Sequence, residues 1–585
     1  MSSRLFIILS LLLVVLSTTG GIRTDLRRAE SFDMTNAGLQ VIQVSAPIRG
    51  TAMDLRTNHC LTNVMFNASA GSTLIVDPSD PHHMVATTNF IYEFANNFFS
   101  ASAGEVDSEN AGDTWVQHIV TGINCSQPNF SETVGTYDPS IAIDRAGEMY
   151  VTIQPVFRGH FPLYVAKSTD KGLAWVLANS GRAVFDTQQL NVVSGKGSII
   201  VDNFPNSPHY GTIYVVWINF VIGKNLVGGI AISRSTDQGT SFSQPVQVSP
   251  VPENESFVNP IPAIARDGTL YVSFASMTAR PTVESYNPDY GQRTEYVVKS
   301  MNGGMTFTAP VEVTTSIERR YENALFDSNP SQSFVVNPTN GHLLMAVERP
   351  AHVKYELPDN DVAIIADRSD VAIYESADGG RTWSIPQTAN DTPPNENETV
   401  FEPALAVATN GLVAAAFYDR RLPCPDKPWI LTNDVGKQNL CMDTVLQFYN
   451  DTVALTQIGA NIRVTKYSWD PMNPGSMGRA AGLNHLWYLG DHFGLAMTNT
   501  TAYPLFDANF DLGDNPGHNL QLFVAPVNVT TKVLPTEQTS SQTIISQAQT
   551  VSGGSQDSLQ FIAIVVFAVA ATTALISLKK KGSIR

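Results

Sequence analysis

The sequence predicts an all-β chain whose body is a propeller of about seven four-stranded blades, with six as the alternative. Three observations predict it. A short turn pattern returns five times, about 60 to 75 residues apart, and a longer strand–turn–strand phrase returns about seven times. Between the two apolar ends the apolar residues alternate with period two, and no long helical period is present.

The short pattern is Ser-x-Asp/Asn-x-Gly-x-Thr-aromatic. It stands as SENAGDTW from Ser108, STDKGLAW from Ser168, STDQGTSF from Ser235, SMNGGMTF from Ser300 and SADGGRTW from Ser376. Such a sequence suits a tight hairpin turn: the Asp or Asn side chain bonds nearby backbone N–H groups, the Gly takes φ > 0, and the aromatic tucks beneath.

The longer phrase starts with Asp, Asn or Glu before Pro and continues through an alternating strand, a turn and a second β-rich strand. It reads DPSIAIDRAGEMYVTI from Asp138, NPIPAIARDGTLYVSF from Asn259, NPSQSFVVNPTNGHLLMAV from Asn329 and EPALAVATNGLVAAAFYD from Glu402. Looser copies begin at Ser72, Gly197 and Gly490. The last unit supplies about three strands, so Leu39–Val44 is the candidate fourth, whose pairing would close the ring and remove its open edges. If each unit's first strand is innermost, Asp138, Asn259, Asn329, Glu402 and Asp491 ring the axis on one face. There they could hold a hard cation such as Ca²⁺ or hydrogen-bond a polar ligand. The competing account is that Asp/Asn-Pro simply starts turns well.

The ends have their own logic. Residues 1–21, with Arg4, an apolar run Leu5–Leu16 and small polar residues to Gly21, read as a secretory signal peptide. Residues 558–578 contain a charge-free run followed at once by Lys579, Lys580 and Lys581, the pattern of a membrane-spanning helix with a cytoplasmic basic tail, 579–585. A buried core helix and a glycolipid-anchor signal are the alternatives. Residues 531–557, rich in Ser, Thr and Gln, read as a flexible stalk, leaving 22–530 as the ectodomain. The expectation is a single-pass cell-membrane glycoprotein with its N-terminus outside. Nine sequons fit that compartment: Asn67, Asn124, Asn129, Asn254, Asn390, Asn397, Asn450, Asn499 and Asn528. The four cysteines, Cys60, Cys125, Cys424 and Cys441, predict two disulfides. Pairing Cys60 with Cys125 and Cys424 with Cys441 is the reading adopted among three connectivities.

A net charge of −17 argues against a nucleic-acid partner, which needs a basic face. Motifs for zinc proteases, Gly-x-Ser-x-Gly hydrolases, phosphate-binding loops and EF-hands are absent, and no cofactor is required. His82-His83 falls in an expected turn and reads as a solvated pair.

At these residues a resemblance becomes explicit. The five turns, the run Phe417–Arg421 (FYDRR) and the closing run Tyr488–Ala496 (YLGDHFGLA) resemble the sialidase-like Asp-box (BNR repeat) propeller superfamily, in a membrane-anchored form, over most of Ser72 to Val527. The resemblance implies chiefly the fold, because Asp-boxes lie on the blade periphery in enzymes and non-enzymes alike. Sialidases in that superfamily grip a sugar carboxylate with three arginines and use a Tyr nucleophile assisted by a Glu, with an Asp as acid. The nearest equivalents are Arg319, Arg320, Tyr321 and Glu322 in one connection, and Arg420 and Arg421 at a strand end. The competing accounts are an exposed charged loop for the first group and a structural ion pair for the second. The early Arg-Ile-Pro order of the family is reversed here as Pro47-Ile48-Arg49, and Arg421-Leu422-Pro423 comes too late. The function expected is therefore binding of an extracellular glycan or protein ligand, with an exo-sialidase or related glycoside hydrolase as the alternative.

Overall fold

The computed structural model describes residues 39–529 except 55–58, 95–97, 121–122, 158–160, 187–191, 223–225, 251–254, 279–291, 318–319, 325, 328–331, 357–362, 394–395, 472–486, 489–492 and 511–517. The chain is nearly all-β, and its sheets are successive antiparallel meanders. The first comprises Ala68–Val76, Met84–Phe94, Phe98–Ser108 and Val116–Ile119. The second has an interrupted first strand, Gly135–Tyr137 and Ile141–Ile143, then Met149–Val156, Tyr164–Ser168 and Val176–Leu177. The third runs Val192–Val201, Ile213–Ile222, Leu226–Ser235 and Val246–Gln247. The fourth runs Glu255–Ile264, Leu270–Thr278, Gln292–Ser300 and Val311–Ile317. Ser333–Val336, Leu343–Glu356, Ala363–Ser376 and Gln387–Thr388 form the fifth, and Val400–Val407, Leu412–Asp419, Asp443–Asn450 and Thr456–Arg463 the sixth.

The seventh takes Gly494–Met497, Thr501–Ala508 and Gln521–Val524 from the end of the body and Ile42–Gln43 from its start. Ile42 pairs with Val524 and Gln43 with Phe523, so the seam expected from Leu39–Val44 is realised over two residues. First strands touch in order from the first meander to the seventh, and Gly494–Met497 returns to Ala68–Val76. This closed cycle of inner strands is the arrangement of a propeller.

The core follows the same cycle. Successive residues point to opposite faces, and along the middle strands both sets are buried, as Met84 and Ala86 are on one side and Val85 on the other, so each interface is filled from two sides. One cluster joins Met84, Ala86 and Val106 of the first meander to Tyr503, Leu505 and Leu522 of the seventh. Another joins Val85 and Ala103 to Ile143 and Val151, and the pattern continues round the ring. The repeated turns lock these interfaces. In all five the Ser hydroxyl accepts the N–H of the Gly four residues on at 2.9 Å, as from Gly112 to Ser108 and Gly380 to Ser376. Those glycines hold φ between 78° and 88°, where a β-carbon is strained. The turn aromatics Trp115, Trp175, Phe242, Phe307 and Trp383 enter five successive clusters, each shared with the preceding meander.

Two disulfides close Cys60 on Cys125 and Cys424 on Cys441. Among the described sequons, Asn67, Asn129, Asn397, Asn450, Asn499 and Asn528 are exposed and Asn124 is half-buried. Asn390 departs from the expectation. It is buried, its Nδ2 donates to Asp370 at 2.9 Å and its Oδ1 accepts the Val371 N–H at 3.0 Å, so a glycan there does not fit this fold. Among the described residues no helix is long and apolar enough to cross a membrane. The signal peptide, the whole stalk-to-tail region 531–585 and Asn254 lie outside the described residues.

Candidate ligand site at the inner strands

Five inner strands share one irregularity. A two-residue bulge interrupts their pairing with the second strand, between Ala70 and Thr73, Gly195 and Ser198, Val258 and Ile261, and Phe401 and Ala404, with the same offset around Asp138-Pro139. The first bulge residue is left-handed in each: Gly71 at φ 69°, Asp138 at 50°, Lys196 at 26°, Asn259 at 53° and Glu402 at 51°. Asp138, Asn259 and Glu402 precede Pro, which a bulge tolerates because it asks for no N–H. These residues therefore sit inside the inner strand rather than starting it. The carbonyl of the second bulge residue is released from the ladder and used between meanders: Pro139 O accepts from Thr87 at 2.9 Å, Gly197 O from Thr152 at 3.0 Å and Pro260 O from Ser198 at 2.8 Å.

A bulge re-aims side chains, and here it delivers them to a cavity of about 190 Å³ lined by Asp138, Lys196, Asn89, Thr73, Ser140 and Ser198 with Gly71, Pro139 and Pro262. The Asp138 N–H donates to Asn89 Oδ1 at 3.1 Å, and Lys196 Nζ reaches Asn259 Oδ1 at 3.4 Å. One ammonium, one carboxylate and several hydroxyl and amide groups thus face one space, a donor–acceptor mix suited to a polyhydroxylated ligand. Among the described residues its lining contains no arginine.

Glu402 belongs to a second, closed cluster on the other side of the ring. Its N–H donates to Glu348 Oε1 at 2.8 Å, while the Tyr321 hydroxyl donates to Glu348 Oε2. Phe401 stacks on Tyr321 with centroids 5.0 Å apart and leans on Tyr418 at 5.5 Å. Burial, with Asp507 and Glu402 nearby, pushes the Tyr418 hydroxyl well above its ordinary pKa. Burial likewise raises the Asp507 carboxyl well above the usual range, against the pull of the Gly71 N–H.

The sequence-predicted residues divide accordingly. Asp138 lines the cavity, Asn259 borders it through its contact with Lys196, Glu402 does not reach it, and Asn329, Asp491 and Arg319 lie outside the described residues. Arg320–Tyr321 is a short parallel strand against Ile365–Ala366, and Tyr321 is buried rather than part of an exposed charged loop. Arg420 is fully buried and holds Glu322 O and Thr399 Oγ at 3.0 Å each and Asn439 O. Burial lowers its pKa to about 9 against the opposing pull of Tyr321, Glu322 and Asp470. Arg421 points elsewhere, to Asp419 and Asp391 at 2.6 Å each. His83 is also not solvated: His82 is exposed, but His83 is buried with Nδ1 2.9 Å from Asp77.

The sequence reading missed Lys196, because the third unit replaces the X-Pro start with Gly-Lys-Gly. It missed Glu348, Asn89 and Asp507 because they lie on second strands, and only the cross-strand register brings them to the bulges.

Fold and site together define a propeller-type β protein with polar groups gathered at its inner strands. The sequence matches no family model and no curated protein. Among solved structures, it is similar to the Hadza microbial sialidase Hz136, with a TM-score of 0.40 and 16% identity over 61% of this chain and 67% of that one. It is similar to Trypanosoma rangeli sialidase bound to the inhibitor DANA, with a TM-score of 0.39 and 12% identity over 84% of this chain and 59% of that one. It is also similar to the GH93 α-L-arabinofuranosidase of Fusarium graminearum with arabinobiose, with a TM-score of 0.37 and 12% identity over 68% and 97%.

Proposed function

We propose that the chain is a seven-bladed propeller that binds a glycan or another polar ligand in the cavity around Asp138 and Lys196, and that it does so from the outer face of a membrane. The observation that carries the reading is the left-handed bulge. Holding Asp138, Lys196 and Asn259 at positive φ costs about 1–2 kcal/mol each relative to an unstrained residue, and the side chains so held line or border one polar cavity. Membrane attachment is supported by the charge-free 558–578 segment and its lysines, and export by residues 1–21 and the sequons. Ca²⁺ remains part of the proposal only as a ligand of the inner-strand oxygens.

The test uses the purified full-length protein on an array of neutral and sialylated glycans, repeated with Lys196→Ala and Asp138→Ala. Binding weakened at least about ten-fold in both, with unchanged melting, supports the reading; a glycan held equally well by both variants removes the cavity from it.

A second reading has one specific observation in its favour. The buried Tyr321–Glu348 pair, with Arg420 nearby, has the chemistry of a carboxylate-assisted tyrosine nucleophile. Turnover of a fluorogenic sialoside that disappears in Tyr321→Phe would select this hydrolase reading over binding alone.

A further inference from the structure

The residue just before each repeated turn sits in the same register on its sheet and does the same work in three of five meanders. Lys167 pairs across from Tyr150, Arg234 from Tyr214 and Lys299 from Tyr271. Each donates to a carbonyl in the turn of the next meander, Lys167 to Gln238 at 3.2 Å, Arg234 to Gly303, and Lys299 to Gly379 at 2.9 Å. A cation at this position ties one meander to the next.

In the first meander the residue is Asp107, across from Val85. The cation is replaced by an acid, and more acids surround it. Glu105 lies two residues back on the same face, fully buried, and its carboxyl meets that of Asp107 rather than any N–H or cationic donor. Its Oε2 sits 2.7 Å from where a β-carbon on Gly172 would be, so it lies directly under the next meander's turn. His118, across the sheet from Glu105, brings Nε2 to 3.7 Å from Asp107. His83 is fully buried, and with Nδ1 2.9 Å from the Asp77 carboxylate it has Nε2 without a partner. An imidazole that gives its Nδ1–H to a carboxylate presents the Nε2 lone pair to a metal. Single ligand atoms of Glu105, Asp107 and His118 lie within 4.8 Å of one another, as do those of His83, Asp107 and Glu109.

We propose that this junction binds a zinc-class divalent cation centred on Asp107, which takes the place of the lysine or arginine used at the other junctions. Each of the two groups that share Asp107 joins one imidazole to two carboxylates, and an imidazole in the donor set favours Zn²⁺ over Ca²⁺ or Mg²⁺. The fifth meander is the internal comparison. Its residue at this position is also acidic, Glu375, but there the imidazole is engaged through Nδ1, His342 lying 2.7 Å from Glu375 and 2.8 Å from Asp451, and Asn337 donates to the other Asp451 oxygen at 2.6 Å.

The full-length protein, stripped with chelator and dialysed, is titrated with Zn²⁺, Ca²⁺ and Mg²⁺ by calorimetry and by melting temperature. Zn²⁺ is expected to bind and raise the melting temperature, with Ca²⁺ and Mg²⁺ without effect at the same concentration. Asp107→Asn and the isosteric Glu105→Gln should lose the ion, His118→Asn at the half-exposed rim should weaken it at least about ten-fold, and His342→Asn should leave it unchanged. Absence of Zn²⁺ binding by the stripped wild type overturns the proposal, as does binding that survives Asp107→Asn and disappears in His342→Asn.

Discussion

Ser45→Ala tests whether the two ends of the body are one cooperative unit. Ser45 is buried just after the seam strand, and its hydroxyl makes three contacts: it accepts the Leu522 N–H at 2.9 Å, donates to Gln521 Oε1 at 2.7 Å and meets Ser69 Oγ at 2.6 Å. It therefore joins the start of the body, the seventh meander and the inner strand of the first. Removal leaves the Leu522 N–H and one lone pair of Gln521 without that partner. Ser69 can turn to Gln521, already 3.5 Å away, and Gln521 keeps its bond to Asn67 O. At about 1–3 kcal/mol for each buried group left unmade, and one of three re-paired, the net loss is about 2–6 kcal/mol. Unfolding entropy is about 2.1 cal/mol/K per residue, so for roughly 490 residues melting as one unit the midpoint falls about 2–6 °C. Scanning calorimetry of wild type and variant reads this directly. A midpoint unchanged within 1 °C, or a separate early transition that leaves the main one in place, would refute the claim that the seam closes a single cooperative ring.

Three further outcomes follow from the same structure. Asp138→Gly relieves a left-handed non-glycine residue and is expected to raise stability in a urea titration by up to about 1 kcal/mol while ligand binding falls; lost stability would show that Asp138 is structural. Arg421→Met leaves buried Asp419 without its guanidinium and should destabilise by about 3–5 kcal/mol, whatever ligand is present; near-wild-type stability with lost binding would instead make Arg421 a ligand clamp. Burial, then Asp419, pushes the Glu398 carboxyl up to about 8, so the folded state holds a proton that the unfolded state releases near its ordinary value. Its contribution to stability is therefore present at low pH and is lost as pH rises from about 4.5 to 8, and Glu398→Gln should flatten that slope in melts across the range; an unchanged slope would assign it to other groups.

The turns were legible because each is specified locally. Ser108, Asn110 and Gly112 carry all the chemistry of one turn within five residues, and Ser168, Asp170 and Gly172 repeat it. The seam was legible from a strand count and a short apolar segment. Sites were not legible in this way because their members are joined by register. Glu348 meets Glu402 across 54 residues, and Asp507 reaches Tyr418 across 89. A one-residue slip in either sheet would send those side chains to the opposite face. His83 and Asp107 were equally invisible: the turn around His82 and His83 reads as solvent-facing until the fold buries one of them against Asp77.

Positive-φ residues occur both in the repeated turns and on the inner strands, with different side chains in the two places. In the five turns the left-handed position that meets the neighbouring meander is always glycine, the residue for which that conformation is free, so the sequence and stability agree there. On the inner strands the same conformation falls on glycine only at Gly71, while the equivalent positions hold Asp138, Lys196, Asn259 and Glu402. Asp and Asn tolerate it partly through local hydrogen bonds, but Lys and Glu have no such excuse. Three of the turns also hold a non-glycine residue at positive φ one position before that glycine, Ala111, Lys171 and Gln238, so the conformation alone does not mark a site; at the four inner-strand bulges what the side chains touch does. At Glu402 that is the Glu348–Tyr321 cluster, and at Asp138 and Lys196 it is the cavity.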